Sequence, residues 1–219
     1  FVDEGDQDIM VESAILKVFA SDSLWEILYD TMQIYGGRSF FTDQPFERMM
    51  RDARLNMIGE GSNEVMRAFI GVVGMRDVGL ELKSFVDSLG DPINNHKDIW
   101  KFLGKNLTKL RLPEVKVHSE NLQHEAKQLA QAVRSFGFAI IRLLKEYREE
   151  VLEKQLELER IANSAIAIYT ASAVLGKLDS DMNDGGTPAT SQEIAAGKLY
   201  CQMALDTVEK NLDALFSPL

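Results

Sequence analysis

A carboxylate set between two glycines, in Ile58-Gly59-Glu60-Gly61-Ser62-Asn63-Glu64-Val65, is a candidate for moving a proton. The flanking glycines leave an approach to Glu60 unobstructed. The same carboxylate has a plainer use: Ser62 is a good N-cap for the apolar run that follows, and an acid beside a helix N-terminus is favoured by the helix dipole. The residues alone leave both uses open. Upstream, Gln33 stands beside Gly36-Gly37, a pair that lets backbone approach a phosphate closely but serves equally as an interhelical turn. Arg48, Arg51 and Arg54 could hold phosphate, yet their three-residue steps beside Glu47 and Asp52 predict surface ion pairs instead.

Other polar residues predict no site. His96, His118 and His124 have no carboxylate or cysteine at metal-ligand spacing, so they are expected to be solvated and no metal is expected. Cys201, the single cysteine, lies on an apolar helical stripe and reads as a small buried hydrophobe. One cysteine excludes a disulfide framework and a cysteine-based zinc site, and fits a reducing compartment. The 219 residues carry 24 Lys+Arg against 34 Asp+Glu, and the net charge of −10 repels a phosphate backbone, which argues against nucleic acid as a partner. A hydrophobic content of 45% is ample for one large or two small cores. No apolar run approaches the roughly 20 residues that cross a bilayer, so a soluble or peripheral protein is expected.

The elements that must position these groups read as helices. Apolar residues from Ile9 to Met32 recur at three-and-four spacing, which predicts a first helix to about residue 34, stopped by Gly36-Gly37. A short charged helix is predicted over Phe46–Leu55 with Pro45 at its start. A third follows the Ser62 cap to about residue 89. Gly90-Asp91-Pro92 is turn chemistry, and a second domain is placed from residue 91. Ser119 to about Asp179 is rich in helix formers and predicts two long helices with a break near Tyr147–Glu153. A loop is expected over Asp179–Pro188, and Thr190/Ser191 should cap a last helix to about Phe216. No convincing strand appears, so the fold class is all-α.

Three stretches in order, Gln33-Ile34-Tyr35-Gly36-Gly37-Arg38-Ser39-Phe40-Phe41, Phe46-Glu47-Arg48-Met49-Met50-Arg51-Asp52-Ala53-Arg54 and the Glu60 segment, resemble the acyl-CoA dehydrogenase family. The resemblance implies the C-terminal helical-bundle part of that fold over residues 1–90. It also implies FAD as cofactor, a fatty acyl-CoA substrate and electron-transfer flavoprotein as acceptor. Glu60 would be the catalytic base that takes the α-proton while a hydride leaves Cβ for flavin N5. A thioester α-proton is too weakly acidic for a fully solvated carboxylate, so such a site must desolvate its base and hydrogen-bond the substrate carbonyl. Gly61 would border the substrate, Ser62, Asn63 and Glu64 would meet the FAD, and Gln33, Gly36 and Gly37 would contact a FAD bound mainly by a partner subunit. Two residues depart from the family: Ser39 stands where a third glycine is usual, and Gly59 replaces an aromatic ring just before the base, which widens the pocket there.

Residues 91–219 resemble the helical C-terminal extension of the very-long-chain branch, which implies a homodimer. Within it, Lys97 to Lys116 holds six bases against two acids, giving +4 and leaving −14 for the rest. Lys97, Lys101, Lys105 and Lys109 lie at four-residue spacing beside Trp100, a pattern that fits an anionic membrane surface or, equally, docking of its apolar face on the protein's own bundle. The chain begins at Phe1 without a clean helix start, which predicts a fragment of a longer protein, inactive alone. Acidity and the lack of a targeting segment point to a bacterial cytoplasm; the alternative is the matrix face of the inner mitochondrial membrane. The rival function is a non-catalytic helical assembly or membrane-docking module that keeps the family's sequence without using it.

Overall fold

The computed structural model describes residues 8–89, 112–183 and 189–216, and every regular element among them is helical. Helix α1 spans Met10–Tyr35 and ends where Gly36 takes a φ of 62°. A 3-10 turn, Gly36–Phe40, follows. Ser39 lies inside this turn, 3% exposed, with its hydroxyl 2.8 Å from the Gly36 carbonyl oxygen and 3.1 Å from that of Met32. It thus satisfies carbonyls that the end of a helix leaves without partners. Helix α2, Phe46–Ile58, starts directly after Pro45 and runs one turn beyond the expected end at Leu55. Helix α3 is Asn63–Leu89. Ser62 caps it as predicted: its carbonyl accepts the Met66 N–H at 2.9 Å, and its hydroxyl accepts that of Val65 at 3.4 Å.

The chain divides into two compact units, Phe1–Gly71 and Val72–Leu219. In the first, α1 packs on α2 and the 3-10 turn, and Ala14, Ile15, Val18 and Ala53 are buried. In the second, α4 (Gln123–Tyr147), α5 (Gln155–Asn183) and α6 (Ser191–Leu215) pack on one another. One apolar cluster joins Leu122, Leu129, Leu175, Cys201 and Val208, so Cys201 is the buried hydrophobe that its stripe predicts. A second joins Met75 of α3 to Leu143, Leu158, Ile161 and Leu215. The expected break between the long helices is a 3-10 turn, Arg148–Glu153, entered with Arg148 at a φ of 50°. Thr190 and Glu193 form a reciprocal capping box at the start of α6.

Two expectations need correction. Asp179–Asn183 is not loop but the last turn of α5, fastened by the Asn183 amide donating to the Asp179 carbonyl at 2.6 Å. The Asp179 carboxylate points inward and accepts the backbone N–H groups of His118 at 2.9 Å and Ser119 at 2.8 Å. His118 Nδ1 also lies 3.0 Å from it, so this histidine, though 84% exposed, is not simply solvated. The rest of the expected loop, 184–188, lies outside the described residues, as does the turn expected at Gly90. Secondly, α5 contains a window with a mean hydropathy of 1.3, long and apolar enough by composition to cross a membrane. Half of that window is buried, and α5 packs against both α4 and α6, which marks it as the core helix of a bundle.

The Asp179 clasp predicts an acid limb. The His118 N–H, then that of Ser119, holds the Asp179 carboxyl below the usual carboxylate range. A folded-state pKa below the unfolded value of about 3.9 gives stability that is complete above that value and disappears as pH falls through the folded one. Acid unfolding of the chain, followed by circular dichroism, should therefore show a limb below about pH 4 that Asp179→Asn flattens. An identical limb in the variant would mean that the carboxylate contributes nothing.

Candidate active site at the head of α3

Glu60 sits in the turn between α2 and α3, exposed, with a φ of 55°. Gly61 follows at 96°. Two successive positive values reverse the chain in two residues, and a non-glycine residue pays a conformational cost there that its surroundings must over-determine. Among the described residues, no hydrogen bond or ion pair engages the Glu60 carboxylate. At Gly61, a Cβ would sit 2.9 Å from Met66 Sδ. Gly61→Ala is therefore expected to destabilise the chain by about 1–3 kcal/mol in urea unfolding, from the left-handed backbone and the crowded sulfur together. Gly37→Ala, whose Cβ would meet nothing within 4 Å, is the control and should fall within about 0.5 kcal/mol of wild type.

The turn is gripped from α1. The Lys17 ammonium donates to the Gly61 carbonyl at 2.7 Å and to Asn63 Oδ1 at 2.6 Å. Asn63, only 1% exposed, donates through Nδ2 to Ser21 Oγ at 2.9 Å and Asp22 Oδ1 at 2.7 Å. Arg67 closes the chain of contacts by an ion pair with Asp22 at 2.5 Å. The Asn63 side chain is therefore spent on protein partners, and what it can offer a cofactor is its backbone. Glu64 remains at the surface; its own N–H, then the Ser62 hydroxyl, lowers its carboxyl below the ordinary glutamate range. Lys17, Ser21, Asp22 and Arg67 carry no motif and were missed by sequence reasoning. A signal existed: Ser21 is a polar residue on the stripe of Ala14, Ile15 and Val18.

The second group of site residues forms an open ledge. Gln33, Gly36 and Gly37 are exposed at the end of α1, and a Cβ at either glycine would meet nothing within 4 Å. Such a ledge leaves the backbone open to close approach, since no side chain bars it. Ser39 does not crowd it, being turned inward to the helix carbonyls. Of the three arginines, Arg51 pairs with Glu47 at 2.8 Å and Arg48 with Asp52 at 3.8 Å, as their spacing predicts. Arg54 departs: its guanidinium lies 5.8 Å from the centre of the Trp25 ring, a cation–π contact between α2 and α1. Lys97, Trp100, Lys101, Lys105 and Lys109, with His96, lie outside the described residues. Among the described residues no cluster of His, Cys, Asp and Glu could hold a metal.

Such a helical arrangement is a known one. The crystal structure of an acyl-CoA dehydrogenase complexed with FAD from Bacillus anthracis matches 94% of this chain with a TM-score of 0.72, at 21% identity and over 32% of that protein. The fold is thus that of part of an acyl-CoA dehydrogenase. The family model described as "Acyl-CoA dehydrogenase, C-terminal domain" matches residues 1–74, and "ACAD9/ACADV, C-terminal domain" matches 120–218. Very long-chain specific acyl-CoA dehydrogenases, mitochondrial, from Bos taurus and Mus musculus are 29% and 28% identical over 99% of this chain and 34% of their own length. The probable acyl-CoA dehydrogenase FadE25 of Mycobacterium tuberculosis is 43% identical over 65 residues, 30% of this chain and 17% of that protein. The chain belongs to the acyl-CoA dehydrogenase family. It spans about a third of the length of the very-long-chain relatives that it matches.

Proposed function

We propose that the protein containing this chain oxidises fatty acyl-CoA thioesters to trans-2-enoyl-CoA in fatty-acid β-oxidation, with Glu60 as the base. The observation that carries this reading is the Gly59-Glu60-Gly61 turn: an exposed carboxylate with no partner among the described residues, on a backbone fixed by Lys17 and Asn63, in a chain of this family. Glu60 takes the α-proton, and its backbone N–H can hydrogen-bond the thioester carbonyl oxygen and so acidify that proton. When bound, FAD supplies the acceptor for the hydride from Cβ. Gly61 gives the substrate room beside the base, the N-terminal N–H groups of α3 at Ser62, Asn63 and Glu64 face polar cofactor atoms, and Gln33, Gly36 and Gly37 offer their ledge to the diphosphate of a FAD held mainly by a second subunit.

A homodimer follows from that sharing, and Ile34, Phe40 and Phe41, exposed beside the ledge at 84%, 74% and 64%, support a covering partner. Electron-transfer flavoprotein is the proposed acceptor. The relatives named as mitochondrial align with nearly the whole chain, which favours a mitochondrial location over a bacterial cytoplasm. The functional division is proposed at residue 91, with 1–90 completing the flavin and acyl site and 91–219 extending it; the Lys97–Lys109 segment, outside the described residues, is proposed to meet either an anionic membrane surface or the protein's own bundle, and the chain alone is proposed to be inactive. The test is the absorbance of the purified whole protein. A flavin spectrum that bleaches on adding a fatty acyl-CoA is expected, and a protein without flavin would favour the non-catalytic helical assembly module instead.

A further inference from the structure

We infer that Lys17 is a positioning residue for Glu60, setting the direction of a carboxylate that it does not itself touch. The inference rests on the reading of Glu60 as base. The Glu60 side chain has no partner among the described residues, so its direction is set by the turn that carries it. That turn is unfavourable by itself, with positive φ values at both Glu60 and Gly61. The group that holds it is the Lys17 ammonium, which binds the Gly61 carbonyl at 2.7 Å and Asn63 Oδ1 at 2.6 Å, on either side of Ser62.

Both acceptors are neutral oxygens, so these are charge-assisted hydrogen bonds rather than an ion pair, short and directional. Their far end is fixed as well. The Asn63 amide is locked by Ser21 and by Asp22, and Asp22 by Arg67. Lys17 therefore ties a rigid point on α1, 44 residues earlier in the chain, to the carbonyl next to the base. A base that must meet an α-proton at contact distance loses rate steeply when it is displaced, even where the substrate still binds.

Lys17→Met retains most of the aliphatic stem and removes both bonds. In the whole flavoprotein, stopped-flow bleaching by a fatty acyl-CoA is measured across pH for wild type, Lys17→Met, Lys17→Gln and Glu60→Gln. For Lys17→Met the limiting rate should fall about tenfold or more, with KM within about twofold and flavin content unchanged. Lys17→Gln, which keeps uncharged N–H donors on a shorter stem, should lie between it and wild type. A wild-type limiting rate in Lys17→Met overturns the proposal. So does a rate loss that only follows loss of bound flavin, which would mark Lys17 as structural. Should Lys17→Met not fold, Lys17→Gln decides by the same criteria; if neither folds, the proposal fails. Rapid bleaching in Glu60→Gln sinks the base itself and is read independently of either lysine variant.

Discussion

Glu60→Gln in the whole protein is expected to slow acyl-CoA-dependent flavin reduction by about 10²–10⁴-fold, the range general-base catalysis contributes, with flavin content and thermal midpoint unchanged. The substitution is nearly isosteric, and the amide cannot accept the α-proton. It should be structurally silent because the Glu60 carboxylate is exposed and binds no protein group among the described residues; the strain at its φ of 55° is a property of the backbone and is the same for both side chains. Glu64, four residues on, is the contrast: its own N–H, then the Ser62 hydroxyl, lowers its carboxyl below the ordinary glutamate range at the head of α3, so Glu64→Gln is expected to weaken the start of that helix without removing a base. The kinetic signature of Glu60→Gln is a fall in kcat and kcat/KM together, as expected when an interaction is made only in the transition state. Undiminished exchange of the substrate α-proton with deuterated solvent would end the assignment.

Leu158→Ala should cost about 2–5 kcal/mol of unfolding free energy, the largest stability loss expected here from a single substitution. Leu158 is 2% exposed and packs among Met75, Leu143, Ile161 and Leu215, residues of α3, α4, α5 and α6. Four helices converge on it, so none can close the void without drawing away from another neighbour. Leu156, two residues earlier on the same helix and 43% exposed, is the control, expected within about 0.5 kcal/mol of wild type. Urea unfolding followed at 222 nm measures both. Equal losses for the two leucines would show that the packing around Leu158 is not the native one.

What the sequence made legible follows from the range of each interaction. Helix ends at Gly36, Ser62 and Thr190 are local events, settled by residues within a turn or two, and they fall where expected. The Tyr147–Glu153 break was also placed, although no glycine or proline marks it. Asp179–Asn183 was misread because an Asp-Ser-Asp run has loop composition, whereas the carboxylate is spent on N–H groups 60 and 61 residues earlier. Arg54 escaped for a similar reason: its neighbours in sequence suggest an ion pair, while α1 supplies an indole across the helix contact. At the site, the turn that carries Glu60 was readable from its glycines and its family resemblance. Lys17, Ser21, Asp22 and Arg67, which hold that turn, were not, because a clamp assembled from two helices over 40 residues apart has no local pattern.

The Asp179 clasp has a meaning in time as well as in stability. Its partners at His118 and Ser119 are separated from it by a 3-10 turn, all of α4, a second 3-10 turn and most of α5. Helices gain their bonds locally and early, whereas a bond spanning 61 residues must await the loss of loop freedom that their docking brings. The segment leading into α4 is thus expected to be stitched down after the bundle has condensed. A contact made on the far side of the folding barrier governs how fast the native state comes apart rather than how fast it forms. The clasp is thereby expected to act as a latch on kinetic lifetime, set among helices whose own bonds are local.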